Sequence, residues 1–206
     1  MDELVKQFVL LWAVIDPIGT IPVFIAVTMG MSKSMARSVA LKASLVAALV
    51  LMFFVLVGEY LLEAMQIPLA AFQVAGGIVL FLFALTMIFG ESKPETEIHL
   101  VKHNLHKYVF PLAIPSIASP GAMMAAVLLT DNHRFSWLHQ GITTLIMLAV
   151  LVITLIFMLL ATRILDIIGE AGASVVSRVM GMILASIAVS AVLQGISLYF
   201  GLSVVN

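Results

Sequence analysis

The chain has 206 residues, of which 63% are hydrophobic and 10% are charged. Soluble globular domains carry about 25% charged residues, so this chain has too few charges to cover a water-facing surface. The net charge of −1 gives no basis for binding nucleic acid, and the absence of cysteine excludes disulfides and thiolate metal sites. The composition therefore predicts an integral membrane protein embedded in a lipid bilayer.

Six apolar stretches are long enough to cross a membrane as helices, which takes roughly 20 residues each. An all-α membrane protein with six transmembrane helices is therefore expected, as a single transmembrane domain over residues 1–206. In chain order the stretches are Phe8–Met29, Val39–Val57, Leu69–Phe89, Tyr108–Thr130, Leu138–Ala161 and Ser174–Gly201.

The first stretch contains an interruption, V-I-D-P-I-G-T-I-P-V-F at residues 14–24. Asp16 lies about eight residues, or roughly 12 Å, into the stretch. A proline inside a helix costs about 3 kcal/mol, and an acid near the bilayer centre costs about 2.5–3.5 kcal/mol more. Asp is also a preferred N-cap, and proline is favoured at the first helical position. Asp16-Pro17 is therefore predicted to end one half-helix and begin another near the midplane.

One long polar segment, residues 91–107, connects the third and fourth stretches. Lys and Arg accumulate on the cytoplasmic side of membrane proteins. With alternating spans, eight of these residues share a side with the linker, and two share a side with both termini. This predicts a cytoplasmic linker and periplasmic termini. The eight are Lys33, Arg37, Lys42, Lys93, Lys102, Lys107, Arg163 and Arg178, and the two are Lys6 and Arg134.

The second half of the chain repeats the first at an offset of 103–104 residues. I-D-P-I-G-T (15–20) falls on A-S-P-G-A (118–122), and residues 69–84 fall on 173–188. Repeat one would span 1–90 and repeat two 108–206. Because each holds three spans, the second must enter the membrane from the opposite side. Such inverted repeats, with broken helices at matching positions, are typical of transporters.

The repeated break predicts a binding site at the centre of the membrane. Ser119-Pro120 repeats the cap-plus-proline pair, and Gly19 and Gly121 leave the new first turns without side chains. In inverted repeats the two restarted helices would point their positive N-termini at each other, where a carboxylate can bind. With the charge of Asp16, the pocket suits a small zwitterion such as an amino acid. The alternative is that the prolines only kink their helices and Asp16 only caps its own.

Other chemistry has weaker support. His99, His103 and His106 have helical spacing in the linker, but a solvated linker explains them better than a metal site, so no metal and no cofactor is predicted. Patterns for nucleotide-driven transport and for common hydrolases are absent. An intramembrane hydrolase would have only Ser116 or Ser119 as nucleophile, and the protein is expected not to be an enzyme.

Four segments resemble the MarC family of six-span bacterial inner-membrane proteins, with the SnatA-like branch nearest. They are D-P-I-G-T-I-P-V-F (16–24), A-G-G-I-V-L-F-L-F-A-L-T-M-I (75–88), P-L-A-I-P-S-I-A-S-P-G-A (111–122) and R-V-M-G-M-I-L (178–184). The resemblance implies membership in the lysine-exporter superfamily of inverted repeats and transport of small neutral amino acids such as alanine and glycine. One difference is that Ser119 stands where the family has glycine before Pro120.

We therefore expect a secondary transporter, with export the favoured direction, coupled to H⁺ or Na⁺. A non-transporting scaffold or biogenesis factor, or a transporter of another small solute, is the alternative. The small residues on the third and sixth spans are expected to pack helices together, as a monomer or a homo-oligomer. The predicted substrate-binding residues are Asp16, Pro17, Ile18, Gly19, Thr20, Ser119, Pro120, Gly121 and Ala122.

Overall fold

The computed structural model describes residues 2–89, 109–132 and 135–202, and this part of the chain is helical with no strand. The predicted all-α class is confirmed. The linker at 91–107, with its three histidines, lies outside the described residues. The helices are α1 (Asp2–Ile15), α2 (Thr20–Thr28), α3 (Lys33–Ala64), α4 (Leu69–Phe89), α5 (Val109–Pro111, continuing as π-helical turns over Leu112–Ile117), α6 (Pro120–Leu129), α7 (Trp137–Leu159) and α8 (Ala161–Phe200).

Within the described ranges, five stretches rather than six are long and apolar enough to cross a membrane. The difference is the expected fourth span, Tyr108–Thr130, whose described part forms α5, the π-helical turns and α6. Proline causes this, because Pro115 lies inside the π-helical turns and Pro120 begins a new helix. With 10 residues, α6 is roughly 15 Å long, about half the hydrocarbon core. The five stretches are Glu3–Thr28, Lys33–Ala64, Leu69–Phe89, Trp137–Leu159 and Ser174–Phe200.

Two of the long helices extend beyond the apolar stretches that predicted them. α3 has 32 residues and is roughly 48 Å long. It begins with a polar turn at Lys33, because Ser32 caps that turn by accepting a hydrogen bond from the Met35 amide at 3.3 Å. α8 has 40 residues and is interrupted at Gly169, whose φ of +68° is a conformation that favours glycine. The sequence predicted the membrane part of α8 from Ser174 onward, which agrees with the structure.

Small residues bring α4 and α8 together as an antiparallel pair. A Cβ atom added to Gly77 would lie 3.0 Å from the carbonyl oxygen of Ala188. One added to Gly181 would lie 3.1 Å from the carbonyl oxygen of Ala84. The backbones are therefore too close for side chains at these two glycines, and the predicted packing role is confirmed for Gly77, Ala84, Gly181 and Ala188.

Polar contacts tie several elements together at the end of the bundle where α1 begins. The Thr143 hydroxyl of α7 donates to Gln7 Oε1 at 3.0 Å, and Gln7 Nε2 lies 2.6 Å from His139 Nε2. At the end of α3, the Glu59 carboxylate accepts a hydrogen bond from the Asn132 amide at 2.8 Å. Membrane helices commonly use such interhelical hydrogen bonds to fix their neighbours.

Candidate functional site

The first interruption is held together by Asp16. Its amide still donates to the Trp12 carbonyl at 2.9 Å, as the last hydrogen bond of α1. Its φ of +51° then ends the helix, in a left-handed conformation that Asp tolerates better than most residues. The carboxylate accepts a hydrogen bond from the Gly19 amide at 3.0 Å, as an N-cap does. Asp16 therefore closes one helix and caps the next.

The regular part of α2 begins three residues later than the sequence predicted, at Thr20 rather than Pro17. Pro17 to Gly19 form a turn under the Asp16 carboxylate. The Asp16 carbonyl accepts both the Thr20 amide, at 3.1 Å, and the Thr20 hydroxyl, at 3.0 Å. The capping role of Asp16 is as predicted, but an additional turn separates the cap from the helix.

The second interruption agrees with its prediction. Ile114, with φ −140° and ψ 120°, departs from helical geometry before it. Ser119 is extended, with φ −70° and ψ 159°, and its hydroxyl accepts a hydrogen bond from the Ala122 amide at 3.1 Å. Pro120 follows as the first residue of α6, where a missing amide donor has no cost.

The two interruptions meet inside the protein. The Ser119 hydroxyl donates to the carbonyl oxygen of Val14 at 2.7 Å, across 105 residues of sequence. In an unbroken helix that carbonyl would accept from the amide of Ile18, so the break in α1 leaves it available to Ser119. A Cβ atom added to Gly121 would lie 2.6 Å from Leu80 and 3.6 Å from Val14. The start of α6 therefore packs against the end of α1, and we call this contact the junction.

The junction is enclosed. Asp16 is 2% exposed and Ser119 is fully buried. Among the nine predicted residues, Ile18 is half-buried and Pro120 is exposed, so the Pro120 ring starts α6 without facing the interior. The buried residues are Asp16, Pro17, Gly19, Thr20, Ser119, Gly121 and Ala122.

Glycine at position 19 has a specific reason. A Cβ atom there would collide with the carboxylate of Asp16, so only glycine lets that side chain fold over its own helix start. Of the five backbone amides from Ile18 to Thr20 and from Gly121 to Ala122, three already donate hydrogen bonds within the chain: those of Gly19, Thr20 and Ala122. The amides of Ile18 and Gly121 are the two outside these bonds.

A large cleft lies next to the junction. It has a volume of about 860 Å³ and is lined by residues of α1, α4, α6 and α8. None of the nine predicted site residues lines it. Gln73 of α4 does, and it is buried. Sequence reasoning did not assign Gln73 to a site, although a single amide in an apolar helix was the available signal.

The fold and the junction define an integral membrane protein whose membrane helices are interrupted at a buried polar contact. Residues 1–200 match the model of the MarC family integral membrane proteins, so the chain belongs to that family and the predicted resemblance is confirmed.

Several curated proteins are similar along nearly their whole length. Two UPF0056 membrane proteins of Methanocaldococcus jannaschii are each 34% identical to this chain, over 95% and 96% of it and 97% and 88% of their own lengths. The UPF0056 inner membrane protein YhgN of Escherichia coli is 29% identical, over 97% of this chain and 98% of its own. None of these names states a substrate. No solved structure matches the chain.

Proposed function

We propose that this protein is a secondary transporter of small neutral amino acids such as alanine and glycine, belonging to the SnatA-like branch of its family. The observation that carries this proposal is the junction, where two interrupted helices meet two residues away from the buried Asp16. Interrupted helices are uncommon in lipid because each freed backbone group needs a partner. They recur in transporters because the freed groups bind the solute.

The chemistry of the junction favours a zwitterion. The amide of Gly121 stands in the first turn of α6, where a helix presents positive charge to a carboxylate, and the amide of Ile18 lies in the turn that precedes α2. Asp16 supplies the negative charge for an ammonium group or for a coupling H⁺ or Na⁺. Close packing of Gly121 against Leu80 and Val14 leaves room only for a small side chain. Substrate size would therefore be limited by the side chains of Leu80 and Val14 that face Gly121.

Two observations support an arrangement of six spans in two inverted repeats. At an offset of 104 residues, Gly77 corresponds to Gly181 and Ala84 to Ala188. If each residue is replaced by its counterpart in the other repeat, the contact of Gly77 with Ala188 becomes the contact of Gly181 with Ala84. The structure contains both contacts. A two-fold axis between repeats produces this pairing, as in isologous contacts of dimers. The second observation is that Asp16 and Ser119, related by an offset of 103, both cap a helix at the junction.

The charge distribution supports an orientation with both termini outside the cytoplasm, since eight of the ten Lys and Arg residues would lie with the linker. We propose the cell membrane as the location, and the inner membrane in cells that have two membranes. The name of the Escherichia coli relative places that protein in the inner membrane. Export is the proposed direction of transport.

The alternatives make different predictions. A scaffold or biogenesis factor would exchange no solute. A transporter of another solute would exchange alanine no better than unrelated compounds. A hydrolase would use Ser116 or Ser119, but the Ser119 hydroxyl donates to a backbone carbonyl and not to a base. Ser119 is therefore suited to hold the junction rather than to attack a substrate.

Exchange of labelled alanine by the purified protein in proteoliposomes tests the proposal. We expect Asp16→Asn to reduce exchange roughly ten- to a hundredfold, because hydrogen bonds to a charged partner contribute about 1.5–3 kcal/mol. Asp166→Asn, at an exposed position of α8, is the matched control and should exchange normally. Normal exchange by a folded Asp16→Asn variant would refute the role of Asp16. No alanine exchange by the unaltered protein would refute the proposed substrate class.

A further inference from the structure

The cleft beside the junction leads toward it from one end of the bundle. Its walls include Leu10 of α1 and Ala125 of α6, each one helical turn from a junction residue, Val14 and Gly121 respectively. One turn is 5.4 Å, so the cleft ends close to the site proposed above. Its volume of about 860 Å³ would hold roughly 30 waters at 30 Å³ each, which is far more than a small amino acid needs. These dimensions suit an access route rather than a closed binding pocket.

Gln73 gives this mostly apolar cleft a polar contact. The other described polar residues in the lining, Lys6, Ser190 and Gln194, are exposed. Gln73 is only 4% exposed, and its Oε1 has no hydrogen-bond partner in the described part of the chain. A buried amide oxygen without a partner costs about 1–3 kcal/mol, which a water or a polar solute at this wall of the cleft would recover and an acyl chain would not. Gln73 therefore favours a cleft filled with water or a polar solute over one filled by an acyl chain.

The repeat relates Gln73 to a second residue of the same kind. At an offset of 104 residues its counterpart is Ser177 of α8, which is fully buried and whose Oγ also has no partner among the described residues. Because α4 and α8 are antiparallel, these equivalent positions lie toward opposite ends of the helix pair. Each end of the pair thus has one buried polar side chain with an unsatisfied oxygen. Only Gln73 is in contact with the cleft described above.

We propose that the cleft is the access route from the side of the membrane on which α1 begins, with Gln73 as the first binding residue that a solute meets. This inference rests on the proposed transport function. The Gln73 amide accepts a hydrogen bond from the ammonium group of a small amino acid before the solute reaches the junction. Ser177 has the corresponding position at the opposite end of the helix pair.

Single cysteines test the route, because the natural chain has none. Ser190 lines the cleft, whereas its neighbour Val189 is exposed elsewhere on α8 at the same depth. A charged, membrane-impermeant methanethiosulfonate should modify Ser190→Cys, since the cleft is wet, and should leave Val189→Cys unmodified in lipid. Alanine should slow the modification of Ser190→Cys. An unreactive Ser190→Cys would mean that lipid or a second copy fills the cleft, and would overturn the proposal.

The role of Gln73 is measured in the same background. Gln73→Met, of similar shape, should raise the alanine concentration needed for protection of Ser190→Cys about tenfold or more, with the rate in the absence of alanine unchanged. Gln73→Asn keeps the amide and should have a smaller effect, whereas Gln73→Leu also lacks the amide and is the second variant if Gln73→Met does not fold. Unchanged protection in a folded Gln73→Met or Gln73→Leu variant would refute the role of Gln73.

The two proposals can fail separately. If alanine exchange depends on Asp16 while alanine does not protect Ser190→Cys, the transport proposal stands and the access route is wrong. If the unaltered protein exchanges no alanine, both proposals fail.

Discussion

Replacing Ser119 with alanine should destabilise the protein more than the loss of an ordinary helix cap. The Ser119 hydroxyl accepts from the Ala122 amide and donates to the Val14 carbonyl, and both Ser119 and Val14 are fully buried. Loss of an N-cap costs about 1 kcal/mol. A buried carbonyl left without a partner costs about 1–3 kcal/mol more. The expected loss in the free energy of unfolding is therefore about 2–4 kcal/mol.

Ser32 provides the matched control. Its side chain caps α3 by accepting from the Met35 amide at 3.3 Å, but it is exposed and has no second role in the described contacts. Ser32→Ala should therefore cost only about 1 kcal/mol. For a protein of this size, 1 kcal/mol lowers Tm by about 2–4 °C. Ser119→Ala should lower Tm by about 4–16 °C, against about 2–4 °C for Ser32→Ala.

Thermal unfolding of the purified variants in one detergent measures the difference. Ser119→Gly separates the two hydrogen bonds, because glycine is a tolerable N-cap but cannot donate to Val14. We expect its Tm to lie between those of the unaltered protein and Ser119→Ala. Equal Tm values for Ser119→Ala and Ser32→Ala would show that the bond to Val14 adds nothing, and would refute the junction as a stabilising contact.

Two further predictions concern glycines. Gly19→Ala should displace the Asp16 carboxylate and reduce alanine exchange at least tenfold. Gly141→Ala is the control and should exchange normally, because its added Cβ meets nothing within 4 Å. Equal exchange by the two variants would contradict the capping role of Asp16. Gly77→Val should separate α4 from α8 at Ala188 and lower Tm by several degrees. In the same thermal scan, Gly141→Ala should be unchanged or about 0.5–1 kcal/mol more stable. An unchanged Tm for Gly77→Val would mean that the helix pair adapts freely.

Much of the local structure follows from residues that are neighbours in sequence. The shortage of charge determines that the helices are embedded in lipid, because no folded surface of this composition could face water. The capping roles of Asp16 and Ser119 were predictable because each cap bonds to an amide three residues away. The exception is the start of α2, where the left-handed conformation of Asp16 inserts a turn that propensity does not reveal.

Tertiary structure decided everything that depends on residues far apart in the chain. The hydroxyl of Ser119 reaches Val14 only because the second half folds back on the first, and no local pattern at either residue encodes that distance. The same holds for Gly77, whose close approach to Ala188 depends on the register of two antiparallel helices. It also holds for Gln73, which becomes part of a cleft only when α1, α6 and α8 surround it. Sequence determined which helices break, and packing determined what the breaks contact, because helix caps act within one turn whereas helix register is set by side chains from both partners.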